Sequence, residues 1–249
     1  MSQATIGVLE LRQYTLHPGT RETLIELFDR EFVESQEACG MSVIGQFRDL
    51  DRPDRFVWLR GFTDMEARPA ALAAFYEGPV WAAHRDAANA TMIAFDDVLL
   101  LKQAGGDLEH DPSQRPAPGS DETPAGLLTA TIIPLAEGAE GEFAKFFDTQ
   151  MRPRLEEAGA SVLSTFVTEK AANNFAPLPV RADANLFVWL GAFDDEAAFR
   201  AHVDALACSA DWQALGPAAT ALSAGAPDVL RLQPTARSAL RGGGSTSRR

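Results

Sequence analysis

The chain has 249 residues, 46% of them hydrophobic, and a formal net charge of −13. That length fits two ordinary domains and that composition a packed globular chain. The acidic balance repels phosphate backbones and argues against a nucleic-acid partner, and no apolar run approaches the roughly 18 residues of a membrane span. Met1 to Thr5 carry neither a basic start nor a long apolar stretch, so no secretory leader is expected. Cys39 and Cys208 read as free thiols of a reducing, cytoplasmic compartment.

Val8–Leu16 alternates as a strand, Pro18-Gly19 turns the chain, and Leu24, Ile25, Leu27, Phe28 and Phe32 recur at helical spacing within residues 20–36. Gly40 ends that helix. Ser42–Phe47 is predicted as a strand, Arg48–Arg55 as a polar hairpin and Phe56–Phe62 as the next strand. Thr63, with Glu66 three positions on, has the form of a capping box for a helical region reaching about Glu77. A shorter helix, Val80–Asn89, and a strand, Ile93–Leu101, follow. Residues 104–126, rich in Gly, Pro, Asp and Ser, read as a linker. The same order then recurs: strand Leu127–Ile133, helix Gly138–Glu157, strands Val162–Val167 and Leu186–Phe193, helix Asp195–Leu206, strand Val229–Leu232. Residues 235–249 read as a flexible tail whose arginines could touch the acidic body.

The recurrence is also literal. Phe56-Val57-Trp58-Leu59-Arg60-Gly61-Phe62 returns 131 positions later as Phe187-Val188-Trp189-Leu190-Gly191-Ala192-Phe193, with Trp81 mapping onto Trp212. The stretch from Glu37 to Phe47 returns 119 positions later, from Glu156 to Phe166. Self-similarity on this scale marks two similar units in one chain. The central hairpin of the second unit, which holds Lys170–Ala184, is longer by 12 residues, the difference between the two offsets. The expected fold is α+β: two ferredoxin-like βαββαβ units fused in tandem, their sheets packed face to face as a pseudo-dimeric α+β barrel. The first unit takes residues 1–103, the linker 104–126, the second unit 127–234 and the tail 235–249.

Glu10-Leu11-Arg12-Gln13-Tyr14, Phe56 to Phe62, Phe75-Tyr76-Glu77-Gly78-Pro79-Val80-Trp81 and the closing Asp97-Val98-Leu99-Leu100-Leu101 together resemble the NIPSNAP family, over about residues 6–102. The second unit keeps Phe187–Phe193 and Trp212 but loses the first motif, so it reads as a degenerate copy. The resemblance implies a dimeric α+β barrel, a superfamily that also holds small antibiotic-biosynthesis monooxygenases and dye-decolorising peroxidases. It implies no particular reaction.

Strand alternation puts Val8, Glu10, Arg12 and Tyr14 on one face of the first strand, and Phe56, Trp58, Arg60 and Phe62 on one face of the third. Charges on such a face are costly unless paired. Glu10 either pairs with Arg12 or Arg60 to lock the sheet, or belongs to an apolar pocket with a few convergent polar groups. By the two offsets Glu10, Arg12 and Tyr14 map to Thr129, Thr131 and Ile133, while Arg60, Tyr76 and His84 map to Gly191, Ala207 and Leu215. The second unit thus lacks every titratable member, which fits one working site in the first unit and equally fits drift after fusion.

In the ligand reading Arg12 or Arg60 would hold a carboxylate or enolate. Glu10 or His84 would move a proton, and Tyr14, Tyr76, Trp58 and Trp81 would stack on a flat ligand. Trp58 and Trp81 have counterparts in Trp189 and Trp212, as core residues would, and a lone helical His such as His84 is commonly a surface residue. His17, His84, His110 and His202 show no metal-ligand spacing, and neither a phosphate loop nor a nucleophile elbow is present. The expectation is a small-molecule binding protein or a cofactor-independent enzyme of secondary metabolism. Its chemistry would be proton transfer, rearrangement or oxygenation of a polar-headed aromatic or polyketide-like metabolite, with homo-oligomerisation open. The rivals are a non-catalytic interaction protein and a haem-dependent oxidoreductase using His202.

Overall fold

A computed structural model describes residues 6–243. Eight strands form one closed antiparallel barrel: β1 (Val8–Leu16), β2 (Ser42–Asp49), β3 (Arg55–Phe62), β4 (Met92–Gly105), β5 (Leu127–Pro134), β6 (Ser161–Thr168), β7 (Leu186–Phe193) and β8 (Asp228–Pro234). Around the barrel they run β1-β3-β2-β8-β5-β7-β6-β4. The order β4-β1-β3-β2 in the first half therefore recurs, in the same direction around the barrel, as β8-β5-β7-β6 in the second. The two apolar faces oppose each other inside, where Leu9, Leu11, Val57, Leu59, Leu99 and Leu101 meet Leu128, Ala130, Val188, Leu190, Leu230 and Leu232. The sheets are also hydrogen-bonded at both seams, β2 to β8 and β4 to β6, so no strand edge is left open.

The repeat offsets survive in three dimensions. Helix α1 (Arg21–Leu27) passes through a π-helical turn at Phe28–Phe32 into α2 (Val33–Glu37). In the second half α5 (Glu140–Phe146), a π turn at Phe147–Met151 and α6 (Arg152–Glu157) do the same, with the π turns 119 positions apart. Both paths end on a glycine in the left-handed region, Gly40 (φ +89°) and Gly159 (φ +98°), which a side chain would strain. Register repeats too: Glu10 faces Arg60 and Arg12 faces Trp58 across β1–β3, as Thr129 faces Gly191 and Thr131 faces Trp189 across β5–β7. Helices α3 (Ala67–Tyr76) and α4 (Pro79–Asn89) cover the outer face of the first half; α7 (Glu196–Cys208), α8 (Ala210–Ala214) and α9 (Gly216–Leu222) lie in the second.

Several expectations are corrected. The capping box at Thr63 is not formed: the Asp64 carboxylate, one residue on, accepts from the Ala67 backbone N–H at 2.7 Å, and Glu66 makes no capping bond. Strand β4 runs on to Gly105, pairing with Thr165 of β6, so the linker begins inside the barrel wall. Leu108 of that linker is a barrel-core residue, and Arg115 pairs with Glu37 at 2.7 Å. The tail is packed at its start, with Thr235, Ala236, Arg237, Ser238 and Leu240 all buried. Thr235 N–H donates to the Gln46 carbonyl at 2.8 Å and Leu240 N–H to the Ile44 carbonyl at 2.9 Å. These segments continue the hydrogen bonding of β2 beyond its seam with β8, and composition alone does not reveal that an apolar plug is needed there. Arg241 pairs with Glu122 at 3.0 Å, and residues 244–249 of the expected tail lie outside the described ones.

Candidate functional site

Glu10, Arg12 and Arg60 stand on the outer face of the barrel wall, under the helices, and all three are fully buried. Glu10 is the hub. Its Oε2 accepts from Arg12 Nη1 at 2.7 Å and from Arg60 Nη2 at 2.6 Å; its Oε1 accepts from Arg68 Nε at 2.8 Å. Arg68, which sequence reasoning missed, comes from α3 and is also fully buried. Its position was legible: Arg68, Leu72 and Phe75 lie four and three residues apart, so a charge occupies the apolar stripe of a helix. Burial alone would raise the Glu10 pKa, but Arg60, Arg12 and Arg68 overcome it and hold the carboxyl well below the ordinary carboxylate range. Three guanidiniums around one carboxylate leave a surplus of two positive charges beneath the helices.

The surplus is passed outward through two phenols. Arg12 Nε donates to the Tyr14 oxygen at 3.0 Å, and Arg60 Nη1 donates to the Tyr76 oxygen at 3.3 Å and to Gln36 Oε1 at 3.0 Å. Among the described residues neither phenol donates to a protein acceptor. Burial raises the pKa of Tyr14, the Arg12 charge pulls against it and neighbouring Tyr76 adds to it, so the hydroxyl keeps its proton at neutral pH. Each phenol oxygen is polarised by the arginine that donates to it, which leaves its own O–H free to donate. Tyr14 and Tyr76 are the two tyrosines of the chain, and both line the same cavity of about 350 Å³. Its other walls are largely apolar and aromatic: Trp81 of α4, Met92 and Phe95 of β4, and Phe175, Pro177 and Leu178 from the β6–β7 connection. Glu77 and Asn89 supply polar rim atoms.

The eight residues singled out from sequence therefore separate into layers. Tyr14, Tyr76 and Trp81 line the cavity. Glu10, Arg12, Arg60 and Trp58 form the layer behind it; the Trp58 ring carries the Arg60 guanidinium at 4.9 Å and the Arg12 guanidinium at 5.5 Å. His84 stands apart: it is partly exposed, with Nε2 3.5 Å from Glu31 Oε2, and does not line the cavity. His202 is buried in the second half, with Nδ1 3.2 Å from the Ala158 carbonyl oxygen and the ring against Phe193, so it offers the cavity no iron ligand. No group of three or more His, Cys, Asp or Glu among the described residues has metal-binding geometry. No helix among them is long and apolar enough to cross a membrane.

The second half shows why its equivalent face has no such site. A Cβ on Gly191, the counterpart of Arg60, would lie 2.7 Å from the Trp189 ring and 2.7 Å from Thr129 Oγ1. The Trp189 ring has closed over the space that a guanidinium would need. Around it Phe143, Phe147, Phe187 and Phe193 make a continuous apolar layer.

The barrel places the chain among solved structures of the same fold. A candidate monooxygenase from Lactobacillus acidophilus NCFM superimposes with a TM-score of 0.60 at 12% identity, covering 96% of this chain and 97% of that one. A second candidate monooxygenase, from Fusobacterium nucleatum, gives 0.61 at 10% identity with 94% of each chain covered. An anthrone oxidase-like protein gives 0.58 at 13% identity, covering 97% and 98%. At these identities the likeness is one of fold. None of the curated proteins matches the sequence. Residues 9–103 match the NIPSNAP family model.

Proposed function

We propose that this protein binds a flat, anionic or enolisable aromatic metabolite in the cavity of its first half, as a small-molecule binding protein or a cofactor-independent enzyme. The observation that carries this reading is the pairing of Tyr14 and Tyr76: two phenols line one aromatic cavity, each held on its oxygen by a buried arginine. Such donors suit a carboxylate, enolate or phenolate, because preorganised O–H groups in a low-dielectric wall stabilise charge at little reorganisation cost. In this reading Arg12 and Arg60 act through the tyrosines and do not touch the ligand. Glu10 fixes their geometry and, held ionised by three arginines, does not serve as the base. His84 takes no role. Trp81 and Phe175 supply stacking surface, and Trp58 insulates the charges. Oxygenation of a bound enolate would take dioxygen as its oxidant, turning an activated CH2 into a carbonyl and releasing the second oxygen atom as water, with the enolisation proton passing to solvent; the monooxygenase and oxidase names carried by fold neighbours are compatible with it.

The two halves are read here as tandem ferredoxin-like units, residues 1–103 and 127–234, the second degenerate, in a cytoplasmic protein that is free to self-associate. The scaffold alternative draws on the tightness of the Glu10 pairing, but a scaffold gives no reason for both tyrosines to meet at a cavity. The test is a titration with 2-naphthoate and 2-anthroate, followed by tryptophan fluorescence and calorimetry. Wild-type protein is expected to bind at one site per chain. Tyr14→Phe and Tyr76→Phe are each expected to weaken binding about tenfold or more, the worth of one hydrogen bond to a charged group. Absence of binding by wild-type protein, or wild-type affinity retained in both variants, refutes the proposal.

A further inference from the structure

The cavity is not completed by the half that owns it. Hairpin β2–β3 turns within five residues, Leu50–Asp54, whereas the connection from β6 to β7 takes 17, Glu169–Asn185. Its ends are tied to its own half, where Lys170 pairs with Glu140 and Asn185 bonds to Leu135 and Ala136, but its middle is not. It runs along β4 of the first half, where Glu169 N–H donates to the Leu100 carbonyl and Arg181 N–H to the Val98 carbonyl, both at 2.9 Å. Between these anchors Phe175, Pro177 and Leu178 form one wall of the cavity. Phe175 lies 6.3 Å from the Tyr76 ring, and Leu178 is a buried member of the first half's outer core.

The same segment is fastened to the buried charges. Arg68 Nη1 donates to Asn173 Oδ1 at 3.0 Å and to Asn174 Oδ1 at 2.8 Å, while its Nε holds Glu10. Asn174 Nδ2 donates to the Met65 carbonyl at 2.5 Å, and Asn173 Nδ2 to the Leu178 carbonyl at 2.8 Å. The cover is thus tied to the carboxylate that organises Arg12 and Arg60. One half has kept the charged layer, and the other, whose own equivalent is filled by Trp189, supplies the wall that bounds the ligand.

We infer that the segment Glu169–Asn185 determines ligand specificity at the first half's site, with Phe175 and Leu178 setting the size of aromatic body admitted and Asn173 and Asn174 positioning that wall through Arg68. This rests on the binding reading above and adds the source of its selectivity. Shortening Phe175 or Leu178 opens the cavity toward the long axis of a fused-ring ligand, and enlarging Phe175 closes it.

The experiment compares 2-naphthoate (two rings) with 2-anthroate (three rings) on intact chains whose fold is checked by circular dichroism. Phe175→Ala and Leu178→Ala are expected to raise the anthroate-to-naphthoate affinity ratio at least fivefold, and Phe175→Trp to lower it by a similar factor. The double variant Asn173→Ala/Asn174→Ala is expected to weaken both ligands, to speed amide exchange in residues 169–181 and to blunt the size selectivity. An unchanged ratio in the Phe175 and Leu178 variants, with wild-type binding intact, overturns this inference and leaves the binding function standing. Failure of wild-type protein to bind either ligand overturns both. Because Phe175→Trp and Phe175→Ala must move the ratio in opposite directions, general destabilisation cannot imitate the expected result.

Discussion

The two halves of this barrel share strand order, register, a pair of π turns and matched glycines, and differ in what they place on the outer face of the sheet. In the first half Glu10 gathers Arg12, Arg60 and Arg68 behind two tyrosines. In the second, Thr129, Thr131 and Gly191 stand at the equivalent positions and the Trp189 ring fills the gap. The difference teaches that backbone geometry does not require the charges, since the same ladder closes equally well over an apolar layer. Their cost in the first half therefore has to be explained by something other than architecture. Coverage differs in the same direction: the connection Glu169–Asn185 and the segment Thr235–Leu240 both fold back over the first half.

The largest expected effect breaks the comparison at its hub. Glu10→Gln leaves three guanidiniums buried around a neutral amide and should cost about 3–5 kcal/mol in chemical denaturation, the usual penalty for removing one partner of a buried pair. The sign with pH follows from the lowered pKa. Stability owed to Glu10 is full above the unfolded-chain carboxylate value of about 4.3 and is lost as pH falls below it, so Glu10→Gln should flatten the acid limb of the stability curve.

A second contrast concerns Asp29 and its counterpart Asp148, 119 positions on. Asp148 is exposed and pairs with Arg152 at 2.9 Å. Asp29 is buried beneath the carboxy-terminal segment, its Oδ1 3.5 Å from Thr235 Oγ1, and burial pushes its pKa up to about 6. A raised carboxyl pKa favours the folded state below the unfolded value and loses that benefit as pH rises through the folded one. Wild-type stability should therefore carry a term falling by about 3 kcal/mol between roughly pH 4 and 7, at about 1.4 kcal/mol per pKa unit. Asp29→Asn should abolish that term.

Much of this was legible in residues. The 119 and 131 offsets gave the two halves, and period-two alternation put Glu10, Arg12 and Tyr14 on one face with Arg60 opposite. The barrel's edge-to-edge closure was not legible, because seam pairing such as Lys102 with Val167 depends on strand ends that run into Gly-rich sequence. Arg68 was hidden because helix α3 was read by its ends and not by its stripe. Phe175 and Leu178 sit in a connection with no periodicity, 80 or more residues from the cavity's first-half lining, and only the fold brings them there. His84, a candidate proton carrier whose place on a helix also fits a surface residue, is partly exposed beside Glu31, because sequence gives a residue's chemistry without its direction.

Smaller effects sharpen the contrast. Tyr14→Phe removes the acceptor of Arg12 Nε and should cost about 1–2 kcal/mol, the expense of leaving a buried donor unpaired. Thr129→Val, at the position equivalent to Glu10, removes a buried hydroxyl that has no partner and should change stability by no more than about 0.5 kcal/mol, or raise it. A large loss there would mean that the second half retains a polar network of its own.

The claim that one half carries the site is tested most directly by a crystal structure of the protein grown with saturating 2-naphthoate. The account predicts one molecule per chain, its rings between Trp81 and Phe175 and a carboxylate oxygen within about 2.6–3.0 Å of both the Tyr14 and Tyr76 oxygens. An empty first-half cavity, or naphthoate seated over Trp189 in the second half, would contradict it.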